Sequence, residues 1–208
     1  QYLDLVVISI ASDIVPITGE NRILAFHGLK LLNTKPRPGI EAILKYTPVN
    51  KSPDTEDSDL YFTRELTISD LVFLIGPRIN AAGRIESAKN SVELLNCKEK
   101  EYSEKLSAQI NEYNEQRKEK DLLTYQEALA MIEQDPAQRN ANCTVVYSPN
   151  WHQGVLGIVA SRLTENFYRP TIVLTESNGY LTGSARSVKG FDIYEAIDFC
   201  SDLLDHFG

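Results

Sequence analysis

Three stretches set arginine among small residues: RINAAGR (78–84), HQGVLGIVASR (152–162) and GSARS (183–187). Glycine and alanine let a backbone approach a ligand closely. Arginine supplies a planar fork of donors matched to phosphate. Gly154 and Gly157 fall at a predicted helix N-terminus, where free N–H groups favour anions. Ser184 and Arg186 alternate along a predicted strand, which turns both side chains to one side. A hydroxyl and a guanidinium so placed make a cradle for a terminal phosphate. The competing readings are ordinary ones: a surface ion pair for any one arginine, a helix cap for Gly154, an edge strand for GSARS.

No complete catalytic set accompanies these residues. His152 and His206 are solitary, His27 fits a partly buried helix position, and Ser184 has no neighbouring base. No His, Cys, Asp or Glu cluster shows metal-ligand spacing. Neither a GKS/GKT phosphate loop nor a G-x-G-x-x-G after a strand is present. Asp13 follows the apolar run LDLVVISIAS, read here as a strand buried on both faces. Ligand sites in open α/β sheets lie beyond the carboxyl ends of strands, which places Asp13 for chemistry. The alternative is a turn or helix-capping aspartate. One carboxylate alone cannot hold a hard divalent cation.

The elements that must position these residues read as α/β. GENRILAFHGLKLLNTKPRPG reads as a helix with Ile23, Leu24, His27, Leu31 and Leu32 on one face, ended by Pro36, Pro38 and Gly39, and IEAILKY as a second, short one. TPVNKSPDTEDSDLYF is an acidic surface loop. TISDLVFLI is a short apolar helix, capped by Thr67 or Ser69 and broken by Gly76 and Pro77. No Gly or Pro occurs from Arg84 to Gln134, and the later part is highly charged. It reads as one long exposed helix connecting two lobes. A second α/β unit follows: strand CTVVYS, helix GVLGIVASRLTENF, strands PTIVLTE and YLTGSARSV, and terminal helix DIYEAIDFCSDLLDHF.

The chain has 208 residues and a net charge of −8. That length suits one large domain or two small ones. The acidity argues against nucleic-acid binding over the whole surface, but not against a local basic groove. No apolar run is long enough to span a membrane. The cysteines, Cys97, Cys143 and Cys200, are isolated and odd in number. They point to a reducing, cytoplasmic setting. Met131 is the only methionine and the chain stops at DHFG, so both ends are expected to be cut from something longer.

Together, SIASDIVPITGENRILAFHGLKLL, GPRINAAGRI, WHQGVLGIVASRL with YRPTIVL, and GSARSVKGFDIYEAI with CSDLLDHFG resemble the bacterial single-stranded-DNA-specific exonucleases of the DHH phosphoesterase superfamily. The resemblance implies an α/β enzyme of two lobes. Residues 1–95 would be the end of a parallel-sheet DHH catalytic lobe, 96–136 a long connector helix, and 137–208 a smaller DHH-associated lobe cut at its C-terminal end. The implied reaction is stepwise 5′-to-3′ hydrolysis of single-stranded DNA in repair and recombination, with Mn²⁺ or Mg²⁺. Asp13 falls on a metal ligand of the family. Arg84, Ser184 and Arg186 fall on the region that binds the 5′-terminal phosphate, and Gln116 and Arg162 on contacts to the DNA backbone. Arg78, Asn80, Gly83, His152, Gly154, Gly157 and Gly183 are assigned to shaping the site.

The family's D-x-D and DHH motifs are expected before residue 1, and its Gly-Gly-His motif to begin at Gly208. As it stands the chain is therefore expected to be an inactive internal fragment that holds no catalytic metal tightly. The implied partners are single-stranded DNA, a helicase and a single-strand-binding protein; the expected state is a monomer away from membranes. Two alternatives remain open on the sequence. One is a superfamily phosphodiesterase for short oligonucleotides or cyclic dinucleotides; the other is a noncatalytic module that grips nucleic-acid ends.

Overall fold

The computed structural model describes residues 2–52 and 60–208. The most acidic part of the expected surface loop, 53–59, lies outside the described residues. The chain divides into two compact units, Gln1–Gln116 and Arg117–Gly208.

The first unit is helical among the described residues, apart from one isolated antiparallel bridge between Lys51 and Phe62. Its elements are α1 (Leu3–Ser12), α2 (Gly19–Thr34), α3 (Pro38–Leu44), α4 (Ile68–Asp70), α5 (Gly76–Ile85) and α6 (Lys89–Asn96). The expected strand at LDLVVISIAS is α1 instead. Its buried residues include Asp4, Val7, Ile8 and Ala11, which is helical spacing. The β-branched run misleads because packing overrides propensity. α1 lies so close on α2 that a Cβ on Gly28 would stand 2.4 Å from the Leu3 carbonyl oxygen. Asp4, 2 % exposed, is neutralised by the Arg37 fork through Nε and Nη2. On α2 the buried face is Ala25, Gly28, Leu32 and Asn33, whereas Ile23 and His27 are exposed, so the expected face is rotated. Asn33 clasps the later chain: its amide donates to the Leu66 carbonyl (3.1 Å) and its side-chain oxygen accepts from the Leu66 N–H (2.7 Å).

Gly76 and Pro77 do not break the helix that precedes them. A π-helical turn, Leu71–Ile75, runs directly into α5. The wider turn accommodates Pro77, which has no N–H to offer and sits in the first turn of α5.

The long helix α7 (Lys100–Gln134) runs through the division between the units. It is not exposed all round. Leu106 and Ile110 join the core of the first unit, and Ala128 and Ile132 that of the second.

The second unit continues with α8 (Pro136–Arg139), β1 (Thr144–Tyr147), a 3₁₀ turn (Gln153–Val155), α9 (Leu156–Phe167), β2 (Thr171–Ser177), β3 (Tyr180–Arg186) and α10 (Ile193–Asp198). The sheet order is β1-β2-β3. β1 and β2 are parallel across the α9 crossover, and β2 and β3 form an antiparallel hairpin. Asn178 (φ 53°) and Gly179 (φ 82°) turn that hairpin, as a two-residue Asn-Gly connection requires. The core is Val146, Trp151, Val159, Leu163 and Val173 with the α7 residues. The expected terminal helix is shorter: α10 ends at Asp198, and a single 3₁₀ turn (Ser201–Leu203) follows. None of its residues is buried, so no packed face extends it.

Candidate functional site

The hairpin register decides what Ser184 and Arg186 can meet. Ser184 pairs with Val173 and Arg186 with Thr171. Paired residues of antiparallel strands share a face. Val173 and Thr171 are fully buried, so this is the face that α9 covers. Near the end of β3 the small residues of α9 leave room. Gly157 and Ser161, four apart, lie on one side of that helix.

The result is a connected cluster. Arg186 Nε donates to Ser161 Oγ (3.1 Å), and Nη1 donates to Ser184 Oγ (3.2 Å) and to the Ala185 carbonyl (2.7 Å). Ser161 Oγ in turn donates to the Gly157 carbonyl at 3.0 Å. A Cβ on Gly157 would stand 3.0 Å from Arg186 Nη2 and 3.1 Å from Ser184 Oγ. The space above this glycine is therefore bounded by a cation and a hydroxyl. Arg186 is exposed and Ser184 half-buried, so both remain accessible. Such a cradle can hold a tetrahedral oxyanion; it contains no group placed to move a proton.

Other residues of this unit frame the same helix. His152 caps the 3₁₀ turn: its Nδ1 accepts from the Gly154 N–H at 3.1 Å. That N–H is thus engaged by the histidine and not presented to an anion, unlike the expectation for Gly154. Burial, and then the charge of Lys120, hold the His152 imidazole below its ordinary value. Arg162 pairs with Asp121 (3.2 Å) and stacks 4.3 Å above the Tyr125 ring. Gly183 answers to packing, since a Cβ there would lie 2.5 Å from Leu174 Cδ2.

Arg78, Asn80, Gly83, Arg84, Asp13 and Gln116 belong to the first unit. Arg78 is buried and acts as a bracket. Its Nη1 donates to the Leu74 carbonyl (2.8 Å), Nη2 to the Tyr46 carbonyl (2.6 Å) and Nε to Asn111 Oδ1 (3.3 Å). Desolvation lowers its pKa, opposed by the charge of Glu115. Arg84, by contrast, is exposed in the last turn of α5, where the helix dipole favours a cation. Asn80 and Gly83 are exposed on the same helix. Gln116 Nε2 donates to Glu112 Oε1 at 3.3 Å.

Asp13 follows a helix and not a strand, as the C-cap of α1, and is exposed. It accepts a long hydrogen bond from Ser9 (3.4 Å). Beside it the Ser12 hydroxyl is buried without a partner. It is packed toward Gly76, where a Cβ would lie 3.0 Å away. One carboxylate and one occluded hydroxyl fall short of the several oxygens that Mg²⁺ or Mn²⁺ requires. Among the described residues no three His, Cys, Asp or Glu side chains converge as a metal site. These residues by themselves do not fit the metal.

Two residues of consequence were not singled out from the sequence. Ser161 lies inside HQGVLGIVASR, and its i+4 spacing from Gly157 was the available signal. Arg169, 9 % exposed, donates to Thr144 Oγ1 (2.7 Å) and to the carbonyls of Gln138 (2.7 Å), Ala141 (2.6 Å) and Arg139 (3.1 Å). It ties α8 to the start of β1, and nothing in its local sequence announces that.

The unit that carries the cradle has a known relative: residues 140–208 match the DHHA1 domain. Over the whole chain, the likeness is to the single-stranded-DNA-specific exonuclease RecJ. The Bacillus subtilis protein of that name is 38 % identical over 100 % of this chain and 25 % of its own length. The Escherichia coli protein is 36 % identical over 95 % of this chain and 33 % of its own length. The chain thus spans about a quarter to a third of these relatives. Among solved structures, Mg²⁺-bound RecJ from Thermus thermophilus superposes with a TM-score of 0.81 at 26 % identity, covering 100 % of this chain and 30 % of that one. An exonuclease RecJ bound to manganese gives 0.77 at 26 % identity, with 100 % and 48 % covered. The α/β fold is that of the corresponding part of RecJ.

Proposed function

We propose that this chain is part of a RecJ-type exonuclease that degrades single-stranded DNA from its 5′ end in repair and recombination. The observation that carries the reading is the open cradle of Gly157, Ser184 and Arg186 in a chain similar to RecJ over its whole length. In this reading the cradle takes the 5′-terminal phosphate. Arg84 and Gln116 of the first unit, and Arg162 of the second, are further contacts to the strand in the same reading. Asp13 is one ligand of a Mn²⁺ or Mg²⁺ site whose remaining ligands lie elsewhere in the polypeptide; the metal would supply the activated water. Residues 1–95 then belong to the DHH lobe, 96–136 to the connector and 137–208 to the associated lobe. The chain alone is inactive, and the whole protein works in the cytoplasm with a helicase and a single-strand-binding protein.

The experiment is a titration with a 5′-phosphorylated single strand and its 5′-hydroxyl counterpart at low salt, read by fluorescence anisotropy. Both this chain and the whole protein are used, with chelator present. Tighter binding of the phosphorylated strand, lost in Arg186→Ala, supports the reading. Equal affinity for the two strands in the whole protein overturns it. A preference for dinucleotides over long strands would instead mark a short-oligonucleotide phosphodiesterase.

A further inference from the structure

We infer that Ser161 is a positioning residue for Arg186, and that it fixes which edge of the guanidinium meets the ligand. This rests on the phosphate reading above and deepens it. Arg186 is exposed at the end of β3, where a long side chain has many conformations available. Its fork has five N–H donors. Nη1 is occupied by the Ala185 carbonyl and Ser184 Oγ, both from its own strand. Those bonds alone leave the plane free to swing about the strand end. The tether from a different element is Nε to Ser161 Oγ.

The serine is itself polarised. Its hydroxyl hydrogen is committed to the Gly157 carbonyl one turn earlier on α9. Toward Arg186 it can therefore only accept, so its lone pair stays turned to the guanidinium N–H. With Nε and Nη1 held, Nη2 is the one guanidinium nitrogen with no protein partner among the described residues. It is also the atom nearest to where a Gly157 side chain would stand. The chain Arg186–Ser161–Gly157 thus aims an unspent, charged donor pair into the gap that the glycine keeps open. The ligand class this suits is a phosphate monoester at a strand end, which can present two oxygens to such an edge.

The test is a double-mutant cycle on the whole protein with chelator present. Affinities for 5′-phosphorylated and 5′-hydroxyl single strands are measured for wild type, Ser161→Ala, Arg186→Ala and the double variant. Ser161→Ala is expected to cut the preference for the phosphorylated strand about three- to tenfold, the worth of one hydrogen bond. It should leave 5′-hydroxyl binding unchanged and the protein folded, with a Tm lowered by no more than roughly 4–8 °C. Ser161→Thr, which keeps the hydroxyl, should restore the preference. In the Arg186→Ala background, Ser161→Ala should have no further effect. If Arg186→Ala abolishes the preference while Ser161→Ala leaves it intact, the positioning role is refuted and the phosphate reading survives. Additive losses refute positioning as well, because they would mean that Ser161 touches the phosphate itself. If Arg186→Ala leaves the preference unchanged, the phosphate reading fails and this inference fails with it.

Discussion

Replacing Gly157 with alanine separates stability from recognition. Gly157 is the second residue of α9 and does not have a positive φ. Alanine fits that backbone and gains about 0.5–1 kcal/mol of helix stability. Against this, the new Cβ would stand 3.0 Å from Arg186 Nη2 and 3.1 Å from Ser184 Oγ. The guanidinium is the mobile end of a long side chain and yields first. Its bonds to Ser161 and Ser184, if both are lost, cost about 1 kcal/mol each at most. The balance lies between a gain of about 1 and a loss of about 1.5 kcal/mol, a change in Tm of no more than roughly 6–12 °C for a unit of this size. Recognition has no such compensation. The methyl group fills the space over Nη2, and a lost charge-assisted bond is worth about 1.5–3 kcal/mol. The preference for a 5′-phosphorylated strand should therefore fall roughly tenfold or more. Thermal unfolding by circular dichroism and paired anisotropy titrations measure the two effects. A folded Gly157→Ala protein that keeps its full preference would show that the ligand does not enter over this glycine, and the cradle assignment would be wrong.

Two further outcomes concern stability. Arg169→Ala leaves Thr144 and the carbonyls of Gln138, Ala141 and Arg139 without their donor. It should destabilise the second unit by about 3 kcal/mol, and Arg169→Lys should not rescue it, because an ammonium cannot reproduce the planar fork; urea denaturation measures both. The His152 imidazole is held below its ordinary value by burial and then by Lys120. Folding therefore favours the neutral ring. Its contribution is complete above about pH 6.5 and is lost as the pH falls through the lower folded value. The Tm of wild type should drop between pH 7.5 and 5 more than that of His152→Asn, whose side-chain oxygen can still accept from the Gly154 N–H. Parallel curves would remove His152 as the cause.

Local chemistry determined much of the second unit. An Asn-Gly pair between β-rich runs can hardly do other than turn a hairpin. Once β3 is a strand, the two-residue period puts Ser184 and Arg186 on one face, whatever surrounds them. Gly157 and Ser161 follow the same logic on a helix. The arginine-and-small-residue stretches and their order along the chain were legible as a family resemblance, and the strand period as a shared face for Ser184 and Arg186. Tertiary structure decided the rest. LDLVVISIAS is helical because Asp4, Val7, Ile8 and Ala11 face α2 and the Arg37 fork, contacts made by residues far along the chain. That moved Asp13 from a strand end to a helix end. Pro77 continues a helix because a π turn precedes it. Arg78 and Arg84, six residues apart in one motif, diverged: the first was turned inward onto carbonyls of Leu74 and Tyr46, the second left at the surface. Sequence periodicity can assign a residue to a face. Which face is buried, and whether an arginine is turned onto carbonyls of the protein or left at the surface, depends on what packs against it from elsewhere in the chain.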